Sequence, residues 1–317
     1  MKTASLLVTG TNGFVGQSLV KALKSSEVYV VGAGRQLTAS NTDAFFVVPD
    51  FTDQVAWQKP LVGCDLVIHL AARVHVMNDK AENALAEFRK VNVDGTLALA
   101  VQAVKAGVKR FIYISSIKVN GEFTELDKPF TAQEATNPQD AYAISKYEAE
   151  QGLLAIAKQT GMDVVIIRPP LIYGAGVKAN FASMLKAVKR GIPMPLGAIH
   201  NKRSFVYVGN LVSLIVCCID HPAAKNQVFL VSDDHDLSTT ELLQECAAAL
   251  GVQSRLWPVP SNLIKNCAAL LGKQSVAQRL CGNLQVDISK AYALLGWKPP
   301  VTVADGLKFT ALALQGE

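Results

Sequence analysis

Val8-Thr9-Gly10-Thr11-Asn12-Gly13-Phe14-Val15-Gly16 follows a short apolar run, Leu6 to Val8, and opens an amphipathic stretch, Phe14 to Leu23. The run reads as a buried strand and the stretch as a helix, so the glycines stand in a strand-turn-helix context. Gly10 permits the tight turn, Gly13 lets the main chain approach a pyrophosphate with no Cβ in the way, and Gly16 lets helix and strand pack closely. Free amides and the positive dipole end of the helix favour a diphosphate at that point, with Asn12, Phe14 and Val15 beside it. Glycines at this spacing also build ordinary turns, so the reading depends on the rest of the chain.

A chain of 317 residues can bury a large core and form about two domains. Half of its residues are hydrophobic and only 18% are charged, which excludes a disordered chain. Basic residues exceed acidic ones by 31 to 26, for a net charge of +5, and no run of Lys or Arg occurs. That balance speaks against nucleic acid and allows an anionic small substrate. Six cysteines without a CxxC pair and five histidines without ligand spacing predict reduced thiols and no metal site. No room for a signal peptide precedes the first strand, and no apolar stretch reaches the roughly 18 residues that span a bilayer. A cytoplasmic enzyme without a transmembrane segment is therefore expected.

Beyond the first helix, Val28 to Val31 reads as a second strand, whose end selects between dinucleotides. An Asp or Glu there would hold the ribose 2′-hydroxyl of NAD, but the chain has Gly32-Ala33-Gly34-Arg35. With no carboxylate to repel a 2′-phosphate and Arg35 offering a charged fork, NADP is favoured over NAD; as a plain solvated arginine, Arg35 would carry no such meaning. Phe45 to Val48 reads as a third strand. After it, Asp50 can accept from an adenine amino group and Phe51 can pack on the ring, or both can serve a turn. Asp65 to Leu70 is a fourth strand, and the small residues of Leu70-Ala71-Ala72 let a cofactor lie close. His69 reads as packing. Glu82 to Ala106 has helical periodicity, with the polar Asn92 on a core-facing stretch. Arg110 to Ser115 and Met162 to Arg168 are further strands, the latter closed by Pro169-Pro170.

This alternation predicts an α/β fold, a doubly wound parallel sheet with helices on both faces and ligands beyond the strands' carboxyl ends. Residues 1–173 would form it, with 204–233 returning to it through Val206 to Asp220 and Gln227 to Val231. Residues 174–203 and 234–317 would form a smaller C-terminal α+β substrate lobe. Asn262 to Leu271, apolar and flanked by lysines, reads as a packing helix, with peripheral membrane attachment as the other reading.

Tyr142 and Lys146 lie four apart on a helical segment running from about Pro138 to Thr160, so they share a face. A phenol titrates near 10 in water; a nearby ammonium, helped by an oxidised nicotinamide, favours the phenolate and makes Tyr142 a usable acid or base. Lys146 would also hold the nicotinamide ribose. With Tyr142 and Lys146 in place, the chain resembles the extended short-chain dehydrogenase/reductases, the nucleotide-sugar epimerase/dehydratase family. The resemblance runs through Thr9-Gly10 to Gly16, His69 to Ala72, Ser115-Ser116 with Gly121, Tyr142 with Lys146, Arg168-Pro169 with Tyr173-Gly174, and Arg203 to Val208. It implies a Rossmann domain and a catalytic triad of Ser116, Tyr142 and Lys146, with Pro169 and Ile172 beside the nicotinamide. It further implies a UDP-sugar substrate touched by Lys118, Asn180 and Phe181, with Arg203 and Arg279 gripping the diphosphate, and a homodimer paired through helices near 81–106 and 140–160. Two positions depart from the family's habit: Asn210 and Asn283 stand where an Asp is frequent.

Sugar 4,6-dehydratases of this family carry Asp-Glu after the catalytic serine; here Ile117-Lys118 stand there, which argues against dehydration. Two reactions at C4 remain, reduction of a 4-keto sugar and 4-epimerisation with retained NAD. The missing strand-end carboxylate and Arg35 put reduction ahead, in precursor synthesis for a surface polysaccharide. A non-catalytic NADP-binding sensor is the remote alternative.

Overall fold

The computed structural model of the protein describes residues 4–26, 28–37, 41–74 and 83–315, the side chains of 179, 180 and 315 excepted. Its strands are β1 (Ala4–Thr9), β2 (Val28–Gly34), β3 (Ala44–Val47), β4 (Leu66–His69), β5 (Arg110–Ile114), β6 (Asp163–Arg168), β7 (Leu171–Tyr173), β8 (Phe205–Tyr207) and β9 (Gln227–Leu230). Seven of them form one sheet in the order β3-β2-β1-β4-β5-β6-β9, every pair parallel. Successive residues of β1 feed opposite faces: Leu6 and Val8 pack into one core layer, Leu7 into the other. A strand buried on both faces has no polar alternation, which is why these strands read as continuous apolar runs.

Helices α1 (Phe14–Lys24) and α6 (Val208–Asp220) cover one face. On the other lie α3 (Gly95–Lys105) and α4 (Ala141–Thr160), with α2 (Ala84–Arg89) packed against α4. The single helix expected from Glu82 to Ala106 is interrupted: α2 and α3 are joined by a π turn at Lys90–Asp94. Residue 82 itself lies outside the described residues. The turn brings the Asn92 side chain inward, and Gly95 sits where a Cβ would come 2.9 Å from that of Phe51.

The expected return of Val206 to Asp220 to the sheet is corrected in part. Gln227–Leu230 does pair with β6, but β8 pairs only with β7, in a separate two-stranded parallel sheet, and 208–220 is helix α6. Pro169 and Pro170 lack amide donors and cannot continue the ladder, so the chain leaves the sheet there. The small sheet is anchored by Asp233, just past β9. Its carboxylate accepts from Tyr173 Oη (2.7 Å), the Tyr207 amide (2.8 Å) and Asn210 Nδ2 (2.7 Å). Asn210 also exchanges both amide bonds with Val301. An Asp at 210 could donate none of these and would face Asp233 charge to charge, so the departure from family habit is explained by this buried network.

The remaining helices are α5 (Ala179–Lys189), α7 (Thr239–Leu250), α8 (Ser261–Leu270), α9 (Gln274–Cys281), α10 (Ser289–Leu295) and α11 (Val303–Gln315). A third core layer joins α5, α7 and α11 to Tyr173 and Phe205, whereas Leu284 through Trp297 pack on the sheet side with α6. Among the described residues, no helix is long and apolar enough to cross a membrane and no cluster of His, Cys, Asp or Glu could hold a metal ion.

Candidate functional site

The glycine loop leaves β1 at the sheet's switch point, between β1 and β4, where such sheets bind ligands. Gly10 has φ +73°, and a Cβ on it would stand 2.8 Å from the Ala71 amide nitrogen; one on Gly16 would stand 2.1 Å from the Gly10 carbonyl oxygen. The Gly13 amide donates to that same carbonyl at 2.9 Å, and no side chain caps α1. Thr11 Oγ1 is buried there with no hydrogen-bond partner. An uncapped helix end, a backbone approach that only glycine permits and an orphaned hydroxyl fit a dinucleotide pyrophosphate. Asn12 is exposed on the loop; Phe14 and Val15 are half-buried. Leu70, Ala71 and Ala72, also half-buried, line the next strand's end, with the Ala71 amide donating to Thr9 Oγ1 at 3.2 Å. Gly16→Ala is expected to weaken NAD binding roughly tenfold, the cost of forcing one extra methyl into a packed turn; titration calorimetry checks it.

Arg35 is exposed just past β2. Asp50 is exposed, and its Oδ1 accepts from both the amide and the hydroxyl of Thr52, which holds its carboxyl below the usual range. Phe51 corrects the expected adenine platform: its ring is buried edge-on to Trp57, at 5.0 Å, because the π turn and Trp57 enclose it. His69 packs, as read from the sequence. Its ring nitrogens lie 2.7 Å from Thr9 Oγ1 and 3.0 Å from Thr96 Oγ1, and burial takes its pKa down to about 3. Asn92 accepts from the Arg73 amide (2.8 Å) and donates to the Arg73 carbonyl and to Ser145 Oγ, both at 3.0 Å. Since Ser145 donates to the Tyr142 carbonyl, Asn92 ties the loop after β4 to the helix bearing the tyrosine.

Asp140 caps α4 by accepting from the Ala143 amide at 2.7 Å, fixing where the helix starts and hence where Tyr142 projects. The Tyr142 ring lies edge-on to Phe88 at 6.0 Å. Ser116, just past the end of β5, accepts from the Lys118 amide, and its hydroxyl is near enough to the Tyr142 phenol to favour the phenolate. Lys146 by itself does not acidify the phenol: burial, with the Asp140 charge, pushes Tyr142 up to about 12 against the opposing effect of the Ser116 hydroxyl. Lys146 Nζ instead donates to the Ile114 carbonyl at 2.7 Å and lies 4.5 Å from the Tyr113 ring. Burial brings that ammonium down to about 7, opposed by Glu150. Desolvation is the largest influence on each group. Tyr142 is thus poised as an acid, and a cation must come close before it can act as a base.

Pro169 is buried, its carbonyl accepting from the Ile117 amide, and Ile172 is half-buried beside the sheet core. Lys118, expected to face substrate, is bound to Asp140 and Glu122, so its ammonium holds the α4 cap. Phe181 is buried and stacked on Tyr173 at 5.5 Å, which commits its ring to the core. The Asn180 side chain lies outside the described residues. Arg203 donates to the Gly282 carbonyl at 3.0 Å, and burial together with the nearby charge of Arg279 lowers its pKa. The two arginines therefore converge, one from the segment just before β8 and one from α9. Asn283 Oδ1 accepts from the Lys202 amide and holds that junction.

The structure adds Glu150 and Asn120. Glu150 is buried and bidentate with Arg168, at 2.9 Å for one of the two bonds, while Arg168 Nη1 donates to Asn120 Oδ1 at 2.9 Å. Glu150 is one turn beyond Lys146, so the spacing Tyr142, Lys146, Glu150 was a usable signal.

A glycine-cradled helix end and a Tyr-Lys pair at the carboxyl edge of one doubly wound sheet define a dinucleotide-dependent enzyme of the short-chain dehydrogenase/reductase class. The chain belongs to the NAD dependent epimerase/dehydratase family, whose model matches residues 6–232. It is 50% identical to the UDP-glucose 4-epimerase of Vibrio cholerae, covering 98% of this chain and 95% of that one. It is 29% identical to an N-acetyl-alpha-D-glucosaminyl-diphospho-ditrans,octacis-undecaprenol 4-epimerase of Escherichia coli O157:H7, over 96% and 94%. The fold matches that of the Thermotoga maritima UDP-glucose 4-epimerase crystallised with UDP-glucose, with TM-score 0.79, 23% identity and 98% and 99% coverage.

Proposed function

We propose that the protein is a 4-epimerase of a UDP-linked sugar that retains NAD between turnovers. The observation that carries this reading is the 50% identity, along nearly the whole chain, to a protein named UDP-glucose 4-epimerase. It reverses the order given by Arg35 and the missing strand-end carboxylate, which had put 4-keto reduction with NADP ahead. Ser116 and Tyr142 would meet the C4 hydroxyl, Ser116 as hydrogen-bond partner and Tyr142 as the group that takes and returns its proton. Bound NAD would supply the positive charge beside the phenol and accept and return the C4 hydride. Lys146 would hold the ribose, and Arg203 with Arg279 would clamp the diphosphate, a job suited to guanidinium forks. Asn180 and Phe181 would border the nucleotide, Phe181 through packing. Residues 174–203 and 234–317 would act as the substrate lobe, and two copies would pair through α3 and α4.

Purified protein incubated with UDP-glucose or UDP-N-acetylglucosamine and no added cofactor should yield the galacto epimer, read by chromatography or NMR. NADPH oxidation only in the presence of a 4-keto sugar, with no epimer formed, would instead establish the reductase reading.

A further inference from the structure

Helices α8 and α9 form a hairpin whose outward face is apolar. Leu270 is 89% exposed, Leu271 72%, Trp257 65% and Leu263 53%, and no residue of α8 is buried. From Arg255 to Arg279 the chain carries four cations, Arg255, Lys265, Lys273 and Arg279, and no Asp or Glu. All four are exposed. The base of the hairpin is fixed by backbone bonds: the Met194 amide donates to the Arg255 carbonyl (3.0 Å), Trp257 to Met194 (2.9 Å) and Gly197 to Trp257 (2.8 Å). The apolar tip and Trp257 are therefore presented from a rigid lobe.

We propose that this hairpin docks on an anionic phospholipid surface, with Trp257, Leu263, Leu270 and Leu271 entering the interface and Arg255, Lys265 and Lys273 meeting headgroups. Charge selects the occupant. A second copy pairing isologously on the same patch would set six cations face to face with no carboxylate of this segment between them, whereas an anionic bilayer complements both the apolar and the basic residues. α8 has ten residues, about half the length of a spanning helix, so it lies on the surface. The inference is independent of which sugar is epimerised.

Trp57 and Trp297 are buried, so Trp257 reports on the patch by itself. Adding vesicles of phosphatidylethanolamine and phosphatidylglycerol to the full-length protein should shift its tryptophan emission to the blue and carry the protein into the vesicle pellet. Vesicles of phosphatidylcholine alone should do so far less. High salt should weaken the binding, Leu270→Gln with Leu271→Gln should weaken it roughly tenfold, and Lys265→Gln or Lys273→Gln roughly fivefold each, about 1 kcal/mol per cation. Turnover of a water-soluble UDP-sugar should stay unchanged in all three. Unshifted emission and protein left in the supernatant with the anionic vesicles would overturn the proposal. So would a wild-type dimer that the double leucine variant converts to monomer, which would make a second copy the occupant.

Discussion

Tyr142→Phe is expected to lower epimerisation by roughly a hundredfold to ten-thousandfold, the usual share of a positioned acid-base group, while leaving NAD binding within a small factor of wild type. The ring packs edge-on to Phe88, a contact that phenylalanine keeps, so the fold has no reason to change. What disappears is the hydroxyl that faces Ser116, a phenol whose pKa burial pushes up to about 12. That value has a kinetic consequence. A phenol so weakly acidic keeps its own proton at neutral pH, so the base step depends on positive charge beside it that favours the phenolate, and Lys146 can contribute only while protonated. With the ammonium brought down to about 7, raising the pH removes that charge and should depress turnover on the alkaline side. Steady-state rates between pH 6 and 9 for wild type and variant check both points. Unchanged turnover in Tyr142→Phe would take the acid-base role from Tyr142, and a wild type that binds NAD but turns over no UDP-sugar would return the chain to the reading of a nucleotide-binding sensor without chemistry.

The parallel sheet and glycine loop were legible because their causes are local. Strands buried on both faces announce themselves as apolar runs, and the turn after β1 needs small residues wherever the backbone must meet a phosphate. Tyr142 and Lys146 were legible from helical spacing. Their electrostatics were not, because desolvation depends on what closes over the pair, and Lys146 is directed to a carbonyl 32 residues earlier in the chain. Phe181 and Phe51 carried no local sign of being buried rather than aimed at a ligand; Tyr173 and Trp57 decide that. Asn210 looked like a lost carboxylate until Asp233 and Val301 came beside it. The departure of β7 and β8 into their own sheet had a local cause in Pro169-Pro170, but its anchor, Asp233, lies 60 residues from Tyr173.

The buried pair of Glu150 and Arg168 sets the other large effect. Glu150→Gln should destabilise the protein by about 3–5 kcal/mol, the range for removing one partner of a buried ion pair. Arg168 would then keep its charge in a dry core with Asn120 as its remaining side-chain partner among those described, and the amide could satisfy only one arm of the guanidinium fork. A second charge makes the loss depend on pH. Glu150 also supports the Lys146 ammonium, whose pKa is lowered to about 7 from 10.5. A base depressed on folding binds fewer protons than in the unfolded chain between those values, so its burial penalty is full below 7 and fades as the pH rises toward 10.5. Removing Glu150 lowers that pKa further and deepens the penalty where the ammonium is charged. The stability deficit of Glu150→Gln should therefore be larger at pH 6 than at pH 9, measured by urea unfolding at both. Glu150→Leu combined with Arg168→Met should recover part of the loss, since neither charge is then stranded. A deficit that is equal at the two pH values would separate Glu150 from Lys146 and leave it a partner of Arg168 alone.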